Sequence, residues 1–202
     1  MKFAIICGSN RRESNSMKVA THMRAMLLEL RLCEEVSIVS LADHNLPLWD
    51  EDVVLSGSVF SAAIESISRD LDASDAFVVI SPEWHGMAAP ALKNFFMYWG
   101  KSELAHKPAL PVAVSSGDGG AYPIAELRMS GYKNNRICYL PEQLIVRNAD
   151  NVLNDGAVKG QEDEYIRSRL EYCLKLLSSY ANAFLTIRQS PVLENTNFRN
   201  GM

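Results

Sequence analysis

Two hydrophobic periodicities alternate along the chain, and that alternation constrains the fold more than any other feature. Lys2–Cys7 is a short run, apolar from Phe3 onward, the pattern of a strand covered on both faces. Ser16–Arg31 follows with Val19, Met23, Met26, Leu27 and Leu30 at helical spacing. The same pair of patterns recurs. Strands are expected at Glu35–Ser40, Asp75–Ser81 and Pro111–Ser115. A fifth begins at Arg136–Leu140, with Gln143–Val146 continuing or replacing it. Helices are expected at Ser58–Leu71, Ala89–Ser102, Tyr122–Gly131 and Glu162–Leu185. Phe77-Val78-Val79-Ile80 is the clearest buried strand. Strand–helix alternation of this kind predicts a parallel sheet with helices on both faces. With 202 residues, the chain suits one domain, expected over 1–188, with a polar tail over 189–202.

In such sheets, ligands bind beyond the carboxyl ends of the strands, near the point where strand order reverses. Three loops fall there. The first is Gly8-Ser9-Asn10-Arg11-Arg12-Glu13-Ser14-Asn15-Ser16. Its glycine permits a sharp turn. Its serines and Asn15 carry short hydrogen-bonding groups, and its arginines carry positive charge. The following helix aims its free amides and positive dipole end at the same space, as phosphate binding requires. No Gly-Lys-Ser/Thr follows, and no Gly-x-Gly-x-x-Gly is present, so neither a Walker loop nor a dinucleotide fingerprint fits. A plain polar turn in which Ser14 or Asn15 caps the helix accounts for the same residues.

The second loop, Ser81-Pro82-Glu83-Trp84-His85-Gly86-Met87-Ala88-Ala89-Pro90, carries an exposed aromatic, a histidine and a glycine at the tip of the most buried strand. A flat ligand needs planar side chains and close backbone approach of this kind. The alternative is that Trp84 packs on a neighbouring helix and His85 is a surface residue. The third loop, Ser115-Ser116-Gly117-Asp118-Gly119-Gly120-Ala121-Tyr122, allows main chain to lie close to a ligand, or is a flexible turn.

Composition excludes several classes. Net charge is −4 with 22% charged residues, which gives no basic footprint for nucleic acid. No apolar run approaches a membrane span. Cys7, Cys33, Cys138 and Cys173 are widely separated and form no metal-ligand spacing. They are expected as reduced thiols of a cytoplasmic protein, and no metal site is expected.

Gly8-Ser9-Asn10-Arg11, Pro82-Glu83-Trp84-His85-Gly86 with Leu92-Lys93-Asn94, and Gly119-Gly120 with Leu127-Arg128 downstream resemble the NADPH-dependent FMN reductase family over about the first 130 residues. The resemblance implies the flavodoxin-like fold, a five-stranded parallel sheet of order 2-1-3-4-5. It implies FMN as cofactor, NAD(P)H as donor and a small-molecule acceptor: a quinone, a flavin, a nitro- or azo-aromatic, or a metal oxyanion. Ser9, Arg11, Ser14, Asn15 and Ser16 would hold the phosphate. Pro82, Glu83, Trp84, His85 and Gly86 would line the ring and ribityl chain, with Ser116, Gly117, Gly119 and Gly120 closing the other side. Hydride transfer in ping-pong order needs no side-chain nucleophile. His85 is the candidate proton donor. A homodimer or homotetramer is also implied, with Trp49 and Tyr98 as interface aromatics or as ordinary intradomain packing. Trp84-His85-Gly86-Met87 departs from the Tyr-Asn-Gly-Ser of many members. A flavodoxin-type electron carrier, a non-redox binding protein that has lost flavin, and a phosphate-ligand binder remain as alternatives.

Overall fold

The computed structural model describes residues 1–52, 61–100, 102–198 and 200–201. Its sheet has the order β2-β1-β3-β5-β6, with β1 at Lys2–Cys7, β2 at Glu35–Ser40, β3 at Ala76–Trp84, β5 at Pro108–Val114 and β6 at Cys138–Tyr139. All of these pairs are parallel: Phe3 stands beside Val36 on one side and Ala76 on the other, and Phe77 beside Ala109. This is the expected flavodoxin-like arrangement. Side chains alternate along each strand, so a strand buried on both faces feeds two cores. Phe3, Ile5, Cys7, Val78 and Ile80 face one layer, packed against Val19, Met23 and Leu27 of α1 (Asn15–Glu29) and Leu170, Leu174 and Leu177 of α6 (Gly160–Arg188). Ala4, Ile6, Phe77 and Val79 face the other. There they meet α3 (Ser61–Ala73), α4 (Pro90–Tyr98) and α5 (Ala121–Met129) through Ile67, Leu71, Leu92, Phe95 and Leu127.

Several boundaries differ from expectation, each for a physical reason. The fifth sheet position is filled by both candidate segments in tandem. β6 pairs with the start of β5, and β7 (Leu144–Val146) with its end. The break falls at Pro141, which has no amide to give to the ladder. β3 runs past Ser81 to Trp84 because it folds back on β4 (Met87–Ala88), pairing Glu83 with Ala88 and Trp84 with Met87. α4 stops at Tyr98 rather than Ser102. Trp99 leaves the helical region and buries its indole, donating to Ser68 Oγ at 2.8 Å. α6 is longer than expected at both ends. A short α2 (Leu41–His44), capped by Ser40, was not foreseen. Positions 58–60 of the helix expected at Ser58–Leu71, Phe60 among them, lie outside the described residues. The stretch after Gln189 is not featureless: it makes two 3-10 turns, and Arg136 donates to the Phe198 carbonyl.

All four cysteines are free, Cys7 and Cys173 buried and the other two half-buried. Burial pushes the Cys7 thiol up to about 11, so it behaves as a core hydrophobe. Among the described residues no helix is long and apolar enough to cross a membrane.

Candidate flavin site

β1, β3 and β5 are neighbours, and their carboxyl ends bring the three loops together. Between them lies a cleft of about 280 Å³. Ser9, Arg11, Ser14, Asn15 and Ser16 line it from the first loop, Pro82, Glu83 and Trp84 from the second, and Ser116 and Gly117 from the third. Val114 and Ser115, not singled out from sequence, complete the wall. A larger groove of about 760 Å³ runs beside α4 and the 130–135 loop on one face of the sheet. It draws on none of the three strand-end loops.

The first loop is built by close approach and capping. The Gly8 amide donates to the Ile80 carbonyl at 2.8 Å. A Cβ on Gly8 would stand 2.6 Å from that oxygen and 3.0 Å from Leu92 Cβ. Gly8 is not among the positive-φ residues, so space, rather than the sharp turn expected, demands glycine. Ser9, 1% exposed, accepts the Arg11 amide on its Oγ at 3.2 Å. Ser14 caps α1, its Oγ accepting from Met17 N at 3.1 Å, and its hydroxyl proton is still free to donate. α1's first-turn amides point at the same space. Arg11 and Arg12 are exposed, and among the described residues neither is ion-paired.

The second loop is a hairpin whose two central residues, His85 and Gly86, have φ of 52° and 70°. Positive φ at both marks the tight turn that matches strand twist. The Ala88 amide donates to Glu126 Oε2 at 2.8 Å. Glu126 also pairs with Lys93 at 3.0 Å. Burial works to raise the Glu126 carboxyl, but the Ala88 amide and the Lys93 ammonium outweigh it and hold it below the usual carboxylate range. Trp84 is half-buried against the Phe95 and Leu92 core rather than exposed as expected. His85 and Gly86 are exposed at the hairpin tip and do not line the cleft.

Gly119 and Gly120 also stand off the cleft, because Glu83 holds them. The Gly120 amide donates to Glu83 Oε2, and a Cβ on Gly119 would lie 2.6 Å from Glu83 Oε1. Gly120 has φ of 107°, and a Cβ there would stand 2.3 Å from Ile145 Cγ2. Gly117, by contrast, has no protein atom within 4 Å of where a Cβ would be, so this wall opens onto free space.

Leu92-Lys93-Asn94 proves to be a brace. Leu92 lies under Gly8, and Lys93 ties α4 to Glu126 and Ser130. Asn94 donates to the Pro47 carbonyl and accepts the Trp49 amide, both at 2.7 Å. Tyr98 donates to the same carbonyl at 2.9 Å, a contact within the chain.

A fourth segment, residues 147–159, went unforeseen. The amides of Asn148 and Ala149 donate to Gly117 and Ser115 carbonyls at 3.0 Å each. Lys18 of α1 donates to the carbonyls of Ala149 and Val152 and to Asn154 Oδ1. Asp163, 2% exposed, accepts the amides of Leu153 and Lys159 and pairs with Arg167 at 2.9 Å. Asn15 Nδ2 donates to Asp150 Oδ1 at 2.7 Å. Sequence offered no local signal for these contacts.

One end of the cleft thus offers hydroxyls, a guanidinium and a helix N-terminus, and the other a half-buried indole on a proline wall. A phosphate joined to a flat ring fits that donor set. Residues 1–151 match the model of the NADPH-dependent FMN reductase family. The chain is 26% identical over 198 residues to a probable NADPH:quinone oxidoreductase 2 of Oryza sativa subsp. japonica, covering 91% of this chain and 94% of that protein. It is 28% identical over 120 residues to an NADPH azoreductase of Bacillus sp. (strain OY1-2), covering 59% of this chain and 62% of that protein's length. Among solved structures, a flavoenzyme NAD(P)H:(acceptor) oxidoreductase from Paracoccus denitrificans superposes with a TM-score of 0.69 at 17% identity, covering 91% of this chain and 98% of that one. The three loops meet at one cleft, and a family match running from β1 through β7 makes this chain a member of the NADPH-dependent FMN reductase family, an NAD(P)H-dependent oxidoreductase with FMN as its cofactor.

Proposed function

We propose that this enzyme passes electrons from NAD(P)H to a quinone or an azo- or nitro-aromatic, with FMN seated in the three-loop cleft. The observation that carries the reading is the cleft's polarity, with phosphate-type donors at one end and Trp84 and Pro82 at the other. Ser9, Ser14, Ser16 and Asn15 hold the phosphate with Arg11 and the α1 amides. Pro82, Glu83 and Trp84 support the ring from the hairpin side, and Ser116 and Gly117 from the other. FMN, when bound, supplies the redox chemistry by taking a hydride from NAD(P)H and delivering electrons to the acceptor. Donor and acceptor take turns at the same open face. His85, at the hairpin tip, serves the rim where the acceptor enters, as proton donor or as a wall of the pocket. The four free thiols suit a reducing compartment, the cytoplasm.

Exposed Met87, Tyr122, Met129 and Tyr132 follow the hairpin and α5 side of the molecule, where aromatic and methionine side chains favour an interface. A homo-oligomer that completes the site from a second copy is therefore part of the proposal, with sedimentation as its check. The central test is spectroscopic. Protein mixed with FMN and freed of excess should carry an oxidised flavin spectrum that NADPH bleaches without oxygen and a benzoquinone restores. Parallel double-reciprocal lines should follow in steady state. A colourless protein overturns the reading, and intersecting lines overturn the alternation.

A further inference from the structure

Beside the phosphate end of the cleft, one hydrogen bond behind Asn15, stands a carboxylate that tight phosphate binding alone would not call for. Asn15 lines the cleft, and its amide donates to Asp150 at 2.7 Å. A phosphate accepting Asn15's second N–H, or the α1 amides beside it, would stand two hydrogen bonds away, roughly 5–6 Å from the Asp150 charge. The segment that carries Asp150 is not free to swing aside. Ala149 and Val152 are held by Lys18, and Leu153 by the buried Asp163. Lys18, which holds this segment through two main-chain carbonyls and Asn154 Oδ1, offsets part of the Asp150 charge, and a substitution at Asp150 leaves that cation in place. Arg11 and Arg12 face solvent, so Asp150 subtracts directly from the positive charge they supply.

We propose that Asp150 is a specificity-determining brake on phosphate binding, which narrows the preference for phosphorylated over unphosphorylated flavin and keeps FMN exchangeable. The inference rests on the assignment of this cleft to FMN. A carboxylate at this distance from a phosphate near two negative charges, at a solvated rim, weakens binding roughly tenfold. A residue that merely oriented Asn15 would act in the opposite sense, so the sign of the effect separates the two roles.

The experiment compares wild type, Asp150→Asn and Asp150→Ala by flavin-fluorescence titration with FMN and with riboflavin, at low salt and at high salt. Asparagine keeps a carbonyl that accepts from Asn15 and removes only the charge. Both variants should bind FMN roughly tenfold tighter than wild type at low salt. Riboflavin affinity should stay as it was, and the FMN advantage should shrink at high salt as screening takes over. Weaker FMN binding by Asp150→Ala, with Asp150→Asn like wild type, would overturn the brake in favour of a positioning role. Equal changes for FMN and riboflavin would overturn it in favour of loop shape. Wild-type protein that binds neither flavin would sink the cleft assignment itself, an outcome distinct from both.

Discussion

Gly8→Ala tests the packing argument at the base of the cleft. The new methyl would stand 2.6 Å from the Ile80 carbonyl oxygen and 3.0 Å from Leu92 Cβ. Neither neighbour can rotate away, since one is backbone and the other is the first side-chain atom. β1 and β3 must therefore separate at their carboxyl ends, or the loop must lift. Overpacking of this kind costs about 1–3 kcal/mol. Stretching the Gly8 amide bond to Ile80, 2.8 Å in the structure, costs about 1 kcal/mol more. Against this, alanine lowers the entropy of the unfolded chain and returns about 0.4–1 kcal/mol. The net is a destabilisation of about 2 kcal/mol. For a chain of this size that lowers Tm by about 4–8 °C. Urea unfolding should show a lower midpoint at unchanged slope, and FMN affinity should fall as Ser9 shifts with the strand end. A variant as stable as wild type, or more stable, would refute the reasoning, because it would mean that Gly8 serves only as a flexible turn.

Arg11→Ala should weaken FMN about tenfold and leave riboflavin unchanged, since an exposed guanidinium delivers the lower end of a charge-assisted contact of about 1.5–3 kcal/mol; paired fluorescence titrations check it. Glu83→Ala should free the Gly119–Gly120 turn from its carboxylate, at a cost of about 1–2 kcal/mol, and hydrogen exchange at Gly120 should quicken while Glu83→Gln retains part of the protection. Burial lowers Lys107 to about 8, although its ammonium donates to the carbonyls of Leu71 and Asp72. Above that value the unfolded chain binds the proton more tightly than the folded one, so stability gains with pH between about 8 and 10.5. Urea midpoints for wild type and Lys107→Met at pH 7.5 and 9.5 should show that gain in wild type alone.

Strand and helix cores were legible because burial writes itself into local spacing. Phe3, Ile5 and Cys7 serve one layer, Ala4 and Ile6 the other, so a short apolar run sufficed to identify β1. The start of α1 was legible for a related reason: Ser14 caps the helix three residues away, at Met17. The hairpin was missed because periodicity registers burial and not pairing. Met87 is exposed and Ala88 buried, with nothing local to announce a fold-back on Glu83 and Trp84. The 147–159 segment was missed for a stronger reason. Its anchors, Lys18 and Asp163, are charged residues on two different helices, and a polar loop held by distant partners has no pattern of its own.

Most of the family-like residues touch one another before they touch any ligand. Leu92 supports Gly8, Lys93 fixes Glu126 against the hairpin, and Glu83 fixes Gly120. The motif is thus a set of braces between loops that come from different strands. This bears on a departure from the family pattern, Trp84-His85-Gly86-Met87. The hairpin needs positive φ at its two central residues, 52° at His85 and 70° at Gly86. Histidine, like asparagine, enters that region more readily than most side chains, and glycine does so freely. The backbone of the turn therefore tolerates the exchange of Asn for His. What changes is the chemistry exposed at the rim, where a ring that can carry charge and a methionine now stand in place of two small hydrogen-bonding groups. A difference between this enzyme and its relatives is accordingly to be sought in which acceptor it takes, and not in whether it holds FMN.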